Sequence, residues 1–433
     1  MKYFGVIGNP IIHSKSPDIM GTYFKIYDIK GYYTRIAVDD VIEVKLLFDL
    51  LLLNGINVTS PFKESIISII DDINDDARFL NSVNTVIKKD GKLYGYNTDI
   101  DGVKFVFNRY GIDIKEKKVA IIGLGGAGRT CAYVLKSMGA EVILLNRTEK
   151  KAAEFAIKLG CSWSPLENLE WVVRNSDIVI SALPQKINLI KKEWVDKNKL
   201  LMDVNYKNSI FQELDNSKKC VVMNSFYWLI GQSIPAFEKF VGIKPELDDK
   251  IINGIMNLKK EINTICIIGF MATGKSAVGR LLSKRLGWEF VDLDDFIEEK
   301  TGKMIKDIFQ IEGENKFREY ESNAISENLG KRKIISCGGG IIVREKNRKL
   351  LKDKCFNIWI VNSIDESLKR VRGDTRPLLN VKDQYKKAHE LFKSRLEYYF
   401  DVADLVILNE NKSIDSVVDR LYEEINFAIR SKR

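Results

Sequence analysis

Cysteine, long apolar runs and blocks of like charge are all sparse in this chain, and each scarcity narrows what it can be. The six cysteines (Cys131, Cys161, Cys220, Cys266, Cys337 and Cys355) never fall at metal-ligand spacing. Several sit in apolar runs such as Ile265-Cys266-Ile267-Ile268, as buried free thiols in a reducing compartment do. No apolar stretch approaches the ~20 residues that span a bilayer. The first apolar run is broken at Gly8-Asn9-Pro10, too early for a signal peptide. A cytoplasmic protein without membrane attachment is expected. The formal net charge is +9, but the lysines are spread along the chain. That pattern implies a solvated basic surface suited to anionic small molecules, with no nucleic-acid partner. Internal repeats, low-complexity segments and a Pro/Gly/Ser-rich tether are also missing.

What is present is a long, ordinary globular composition, 45% hydrophobic and 29% charged. At roughly 150 residues per domain, the length predicts about three domains. Short β-branched runs alternate with amphipathic stretches throughout. Strands are expected at Phe4–Ile7, Val119–Ile122, Val142–Leu145, Ile178–Ser181, Ile265–Ile268, Phe290–Leu293, Ile334–Ser336 and Ile358–Val361, with helices such as Thr130–Met138 and Ala277–Leu286. This is the pattern of βαβ units and mostly parallel sheets, an α/β fold. One hairpin is predicted at Val83–Lys88 and Lys92–Tyr96 around Asp90-Gly91.

Two glycine-rich loops each follow a strand and open a helix, so each starts a nucleotide-binding sheet. The first reads Gly123-Leu-Gly125-Gly126-Ala127-Gly128, where glycine lets backbone approach a pyrophosphate at a helix N-terminus. Such a loop alone is a weak sign, since a structural turn reads the same way. About twenty residues on, an NAD enzyme places Asp or Glu against the ribose; here the chain has Asn146-Arg147-Thr148, then Lys150 and Lys151. A guanidinium and ammonium groups suit a 2′-phosphate, so NADP(H) is the expected cofactor.

Before this loop come His13-Ser14-Lys15-Ser16-Pro17, Asn57-Val58-Thr59-Ser60-Pro61-Phe62-Lys63, Ser82-Val83-Asn84-Thr85 and Asn97-Thr98-Asp99. In this order and spacing they resemble shikimate dehydrogenases over about 1–258. The resemblance implies Lys63 as the proton-transfer residue and Asp99 as its partner, a base and acid of the kind ketone reduction needs. It implies Ser14 and Ser16 on the substrate carboxylate, Thr59, Asn84 and Gln232 on its hydroxyls, and Tyr206 closing the pocket. Singly, Ser14 and Ser16 also suit turn or cap positions, and Asn84 also suits a hairpin. Lys63 is expected to begin a helix, where a cation opposes the dipole. Two segments depart from the family, Ser181-Ala-Leu183-Pro-Gln-Lys186 where it has a Thr-Pro-x-Gly-Met type sequence, and Tyr227 where it has Gly. Both concern packing at the nicotinamide end.

The second loop, Gly269-Phe-Met-Ala272-Thr273-Gly274-Lys275-Ser276-Ala277, is a full G-x-x-x-x-G-K-[ST]. Its backbone cradles phosphates, Lys275 reaches the β/γ oxygens and Ser276 ligates Mg²⁺. Asp292 and Asp294 end the next strand, where alternation puts both carboxylates on one face, one for the metal shell and one for an acceptor hydroxyl. With Phe317-Arg318-Glu319-x-Glu321, Gly338-Gly339-Gly340, Arg376-Pro-Leu-Leu379 and Arg395-x-x-x-Tyr399, this set resembles shikimate kinases over about 262–433. The resemblance implies Arg318, Gly339 and Arg395 on the shikimate carboxylate, Asp294 accepting the 3-hydroxyl proton, and Arg376 on a lid over ATP. The family often has Gly at Ala272.

The expected architecture is an α/β catalytic domain (1–100, completed by 228–258), a Rossmann NADP domain (101–227) and a P-loop domain of nucleoside-monophosphate-kinase type (262–433). The implied reactions are consecutive: 3-dehydroshikimate is reduced to shikimate, which is then phosphorylated. A short linker near 260 joins two halves, each with its own sheet and site, so cutting there should give separable activities. Two alternatives stand: a quinate/shikimate dehydrogenase, or one half acting as a non-catalytic sensing or oligomerising module. A homodimer is compatible with the sequence, which does not decide the oligomeric state.

Overall fold

The computed structural model describes residues 1–184, 187–206, 209–216, 220–258, 260–370 and 383–430. By contacts the chain forms two compact units, Met1–Phe62 with Asn257–Arg433, and Lys63–Met256. Both are α/β, as expected from the alternating pattern.

In the first unit eight strands lie side by side, all parallel. Their order is Glu289–Asp292, Lys333–Ser336, Thr264–Ile268, Cys355–Val361, Leu405–Leu408, Gly31–Ala37, Lys2–Gly8 and Gly55–Val58. Thr264–Ile268 and Cys355–Val361 are buried along their whole length, which is why they read as largely apolar runs, broken in the second by Asn357. One hydrophobic cluster runs beneath this sheet, from Val6, Ile11 and Ala37 through Ile265, Ile358 and Ile407 to Leu421 and Ile425. Residues from the start and the end of the sequence therefore share a single core. The join is Leu405–Leu408 against Gly31–Ala37, with Leu405 opposite Arg35 and Ile407 opposite Ala37.

The second unit has a six-stranded parallel sheet, ordered Val221–Met223, Leu200–Asp203, Ile178–Ser181, Lys118–Ile122, Glu141–Leu145 and Ser162–Trp163. The hairpin is present as Thr85–Lys89 and Lys92–Tyr96, and its turn residues Asp90 and Gly91 have φ of 50° and 77°. Two helices, Asp99–Arg109 and Phe226–Val241, pack closely because glycines stand at their crossing. An ideal Cβ on Gly102 would lie 2.3 Å from Trp228 Cδ1, and one on Gly231 would lie 2.4 Å from Phe105 Cβ.

All eight expected strands form, most of them beginning one to three residues earlier than expected, and one also ends sooner, at Asp292, where Leu293 begins the helix Leu293–Thr301. The strands Gly31–Ala37, Leu200–Asp203, Val221–Met223 and Leu405–Leu408 were not among those expected. Among the described residues none of the six cysteines is in a disulfide, and all but Cys161 are buried. No described helix is long and apolar enough to cross a membrane.

The crossing supplies a test. Gly231→Ala gains at most about 1 kcal/mol in helix propensity, while forcing a methyl against Phe105 costs about 1–3 kcal/mol. The variant should unfold at a lower urea midpoint than the parent chain. An unchanged midpoint would mean the helices can move apart freely.

Candidate active sites

In the second unit Gly123 follows its strand at φ 98°, and an ideal Cβ on it would lie 2.7 Å from the carbonyl oxygen of Ala182. Gly128 is tighter still, 2.0 Å from the carbonyl oxygen of Gly123, so neither tolerates a side chain. Gly125 caps the helix Gly126–Ser137, which carries Ala127 and Gly128, and the backbone N–H groups of that first turn open onto the loop. Asn146 ties the loop to the next strand by accepting from Leu124 N at 3.3 Å.

Beside it lies a pocket of about 500 Å³, lined among others by Asn146, Arg147, Thr148 and Lys151, and by Arg129 and Lys158. The sequence reading missed the last two. Arg129 directly follows the glycine loop and is held by Glu64 at 2.7 Å and by the carbonyl oxygens of Leu80 and Leu124. Arg129, Arg147, Lys151 and Lys158 outnumber Glu64 and Glu154 in this lining, which suits a phosphorylated ribose.

The glycine loop also approaches a charged pair. An ideal Cβ on Gly126 would be 3.0 Å from Ser82 Oγ and 3.8 Å from Lys63 Cδ. Lys63 Nζ donates to Asp99 Oδ2 at 2.6 Å. Asp99 is buried at the first turn of its helix, where the N-terminal dipole favours a carboxylate. Its other oxygen accepts from Trp228 Nε1 at 3.2 Å, a partner the sequence did not reveal. Lys63 does not begin a helix: it lies in a turn before the 3-10 helix Ser65–Ile69, so the dipole cost expected there does not arise.

Asn84 and Gln232, 148 positions apart, meet at 2.9 Å. Asn84 Oδ1 also accepts from Thr98 N at 2.8 Å, so the side chain bonds hairpin backbone as well. Tyr206 stands edge-on to Phe226. Of the departures from the family pattern, Tyr227 packs edge-on to Tyr110 and under the Arg109 guanidinium. Leu183 O accepts from Asn205 Nδ2 at 3.0 Å, while Gln185 and Lys186 lie outside the described residues.

Ser14, Ser16 and Thr59 belong to the first unit. Ser14 Oγ accepts from Ser16 N at 3.3 Å and lies 3.2 Å from Ser16 Oγ. Thr59 continues the strand Gly55–Val58, donating its N–H to Ile7 O. Asn57 and Val58 lie inside that strand.

The second glycine loop lies in the first unit too. Gly269 has φ 154° and an ideal Cβ on it would be 2.5 Å from Ile360 O; Gly274 has φ 89°. Ala272 also takes a left-handed φ of 59°, a conformation that costs an L-residue about 1–2 kcal/mol. The usual glycine at this position therefore has a backbone reason. Thr273 Oγ1 and the buried Lys275 Nζ both donate to Phe270 O, at 2.9 and 2.8 Å. Ala277 follows in the first turn of the helix Lys275–Leu286.

Ser276 Oγ lies 3.2 Å from Ser336 Oγ, and Ser336 pairs in register with Asp292. These oxygens form a hard donor set of the kind Mg²⁺ takes alongside nucleotide phosphates. Asp292 Oδ1 caps the next helix by accepting from Asp294 N at 3.0 Å. Asp294 is thus placed by a helix turn, and the strand alternation expected to align the two carboxylates is not what does it.

Opposite the loop, Gly338 and Gly340 leave room for charged side chains. Ideal Cβ atoms there would lie 2.6 Å from Glu321 Oε1, 3.0 Å from Asp294 Oδ1 and 2.2 Å from Arg318 Nη1. Arg318 Nη1 donates to Glu321 Oε2 at 2.5 Å, and its Nη2 donates to Glu314 at 2.8 Å. Gly339 O accepts from Arg395 Nη1 at 3.2 Å and from Tyr399 OH at 2.8 Å. Two guanidinium groups, two carboxylates and an open glycine turn therefore converge. Arg376 lies outside the described residues.

Glu321 was quoted in the motif but given no role. Burial pushes its carboxyl up to about 7, against the pull of Arg318 and with Asp294 adding to the rise.

The first unit's loop and acceptor pocket define a P-loop phosphotransferase, and the second unit's glycine loop, cationic pocket and Lys63–Asp99 pair define an NADP-linked oxidoreductase. Family comparison makes both particular. Residues 6–86 match the shikimate dehydrogenase substrate binding domain, 106–219 the shikimate / quinate 5-dehydrogenase family and 271–426 shikimate kinase. A shikimate dehydrogenase (NADP(+)) of Pyrococcus abyssi is 32% identical over 254 residues, 57% of this chain and 95% of that protein. A shikimate kinase of Chromobacterium violaceum is 36% identical over 170 residues, 39% of this chain and 92% of that protein. The solved shikimate 5-dehydrogenase of Thermus thermophilus in complex with NADP(H) and shikimate aligns with a TM-score of 0.53 at 26% identity, covering 59% of this chain and 98% of that one. The chain belongs to the shikimate dehydrogenase family in its first part and to the shikimate kinase family in its last, and it is an enzyme of both kinds.

Glu321 gives a test by pH. A carboxyl raised in the fold favours the protonated native state, so its contribution is present below about 4.5 and lost as pH rises to about 7. Glu321→Gln removes that loss. The unfolding free energy of the variant, relative to the parent, should rise by about 2–3 kcal/mol between pH 4.5 and 7.5. A pH-independent difference in urea titrations would mean Glu321 titrates as an ordinary carboxylate.

Proposed function

We propose that the first site reduces 3-dehydroshikimate to shikimate with NADPH, and that the second transfers the ATP γ-phosphoryl group to the 3-hydroxyl of shikimate. The observation that carries the first is the 2.6 Å Lys63–Asp99 pair beside the glycine loop. NADPH supplies the hydride when bound. Lys63 donates a proton to the ketone oxygen as charge develops there, and Asp99 holds the ammonium in place and takes a ring hydroxyl. Asp99 is oriented in turn by Trp228. Ser14 and Ser16 take the substrate carboxylate, Thr59, Asn84 and Gln232 its hydroxyls, and Tyr206 closes the pocket. Arg147 and Lys151, with Asn146 and Thr148, take the 2′-phosphate, and the N–H groups near Gly123, Gly125, Gly126, Ala127 and Gly128 take the pyrophosphate.

In the kinase site Asp294 accepts the proton of the attacking hydroxyl. Arg318, Arg395 and Gly339 hold the carboxylate. The loop from Ala272 to Ala277 cradles phosphate, with Lys275 swinging from Phe270 O to the β/γ oxygens. Ser276 and Asp292 would hold Mg²⁺, which neutralises charge on the phosphates. Arg376 is the proposed lid residue. The product of one site is thus the substrate of the other, which supports a cytoplasmic role in aromatic biosynthesis. The modules are 1–100 with 228–258, 101–227 and 262–433. The absence of an acid at 146–148 favours this reading over a catabolic NAD-linked quinate dehydrogenase.

With 3-dehydroshikimate, NADPH and MgATP, the purified chain should consume both nucleotides. Lys63→Ala should lower dehydrogenase turnover about 100-fold or more while shikimate-dependent ADP release stays as before. Turnover near the parent value would remove Lys63 from proton transfer. Arg147→Asp should shift the NADPH/NADH ratio of kcat/KM toward NADH by at least about tenfold, the value of one charge-assisted hydrogen bond. An unmoved ratio would place the 2′-phosphate elsewhere.

A further inference from the structure

The segment between the strand Lys2–Gly8 and the helix Ser16–Ile26 is held largely by residues from the far end of the chain. Ile11 N donates to both oxygens of Glu424 at 2.9 Å, and Ile12 N donates to Glu424 Oε2 at 2.8 Å. Arg420, one helical turn earlier, donates to Asn9 Oδ1 at 2.5 Å and to Gly8 O at 3.0 Å, and pairs with Glu424 at 2.7 Å. On the other side Arg35 donates to Ser14 O at 3.0 and 2.7 Å and to Asp404 O at 3.3 Å. Glu424 is fully buried and Arg420 is 4% exposed.

A buried ion pair is weak evidence for stability, because desolvation offsets its attraction and apolar residues of like size do as well. Glu424 instead directs both oxygens at main-chain N–H groups of one loop, and Arg420 bonds Gly8 O and the Asn9 side chain of that loop while also pairing with Asp39 at 3.3 Å. Two N–H groups would be left buried without acceptors if the carboxylate were lost. That is the signature of a device that fixes a conformation.

We propose that Glu424 and Arg420, on the helix Ile414–Arg430 within the kinase part, are positioning residues of the dehydrogenase. They hold residues 8–12, and the Ser14 N–H is bonded in turn to Ile11 O at 2.9 Å, so that Ser14 and Ser16 present their hydroxyls to the substrate carboxylate. The proposal rests on the reading of those two serines given above. It also changes the expectation of two independent halves, since the second half then supplies the support for a binding loop of the first. The loop residues it bonds are Gly8, Asn9, Ile11 and Ile12, none of them a proton-transfer residue, so its loss falls on KM.

The test uses the full-length chain. In Glu424→Gln the KM for 3-dehydroshikimate should rise about tenfold or more. The KM for NADPH, the turnover at saturation and the kinase kcat/KM should stay within about twofold. Arg420→Lys should show the same split, more weakly, and serves if the first variant fails to fold. Leu421→Ala removes a fully buried apolar side chain from the same helix; it should lower the melting temperature and leave that KM alone. Ser14→Ala separates the two layers of the argument. If it raises the KM while Glu424→Gln and Arg420→Lys do not, the clamp is wrong and the serine reading stands. If Ser14→Ala leaves the KM unchanged, the serine reading falls and this proposal with it. An equal rise in Leu421→Ala would reduce the effect to general loosening and overturn the proposal.

Discussion

The parallel ladder between Leu405–Leu408 and Gly31–Ala37 is the constraint on which the first unit depends. Without the other, each strand would be an open sheet edge, and open edges recruit unwanted partners. Pairing them removes two edges at once. Around the ladder, Tyr3 stacks on Phe400 at 4.5 Å, Thr34 Oγ1 donates to Ala403 O at 3.0 Å and Tyr32 OH donates to Glu397 at 3.0 Å. The compact units therefore differ from the stretches that carry the two family likenesses, because residues 1–62 pack with 257–433.

Both sites solve the same problem with similar parts. Each presents backbone N–H groups from a glycine loop at a helix N-terminus, where anions are favoured. Each sets a charged group opposite: the Lys63–Asp99 pair in one, and Arg318, Glu321 and Asp294 in the other. The buried carboxylates differ in what surrounds them. Asp99 has a cation, an indole N–H and a helix N-terminus, whereas Glu321 shares one arginine and faces a second carboxylate. Burial lifts the Glu321 carboxyl to about 7, with Asp294 adding to the rise against the pull of Arg318.

The α/β class, the expected strands, the hairpin and both phosphate loops were legible in the sequence, because each rests on contacts within a few residues. An apolar run, an Asp-Gly turn or a glycine at positive φ carries its own cause. The less apolar strands were not legible. Gly31–Ala37 reads Gly-Tyr-Tyr-Thr-Arg-Ile-Ala, and its place in the sheet comes from neighbours far along the chain. Asp294 was placed near the second loop for the wrong reason, since a helix cap and not strand alternation sets it.

The sequence by itself determined which chemistry-bearing residues exist and how they are spaced: the two glycine loops, Lys63, Asp99, Lys275 and Asp294. Only the tertiary structure decided their partners. Trp228 reaches Asp99 across 129 positions, and Glu424 takes the N–H of Ile11 across 413. The physical reason is that a buried polar group must find a partner wherever the fold brings one within about 3 Å. Distance along the chain says nothing about where that will be.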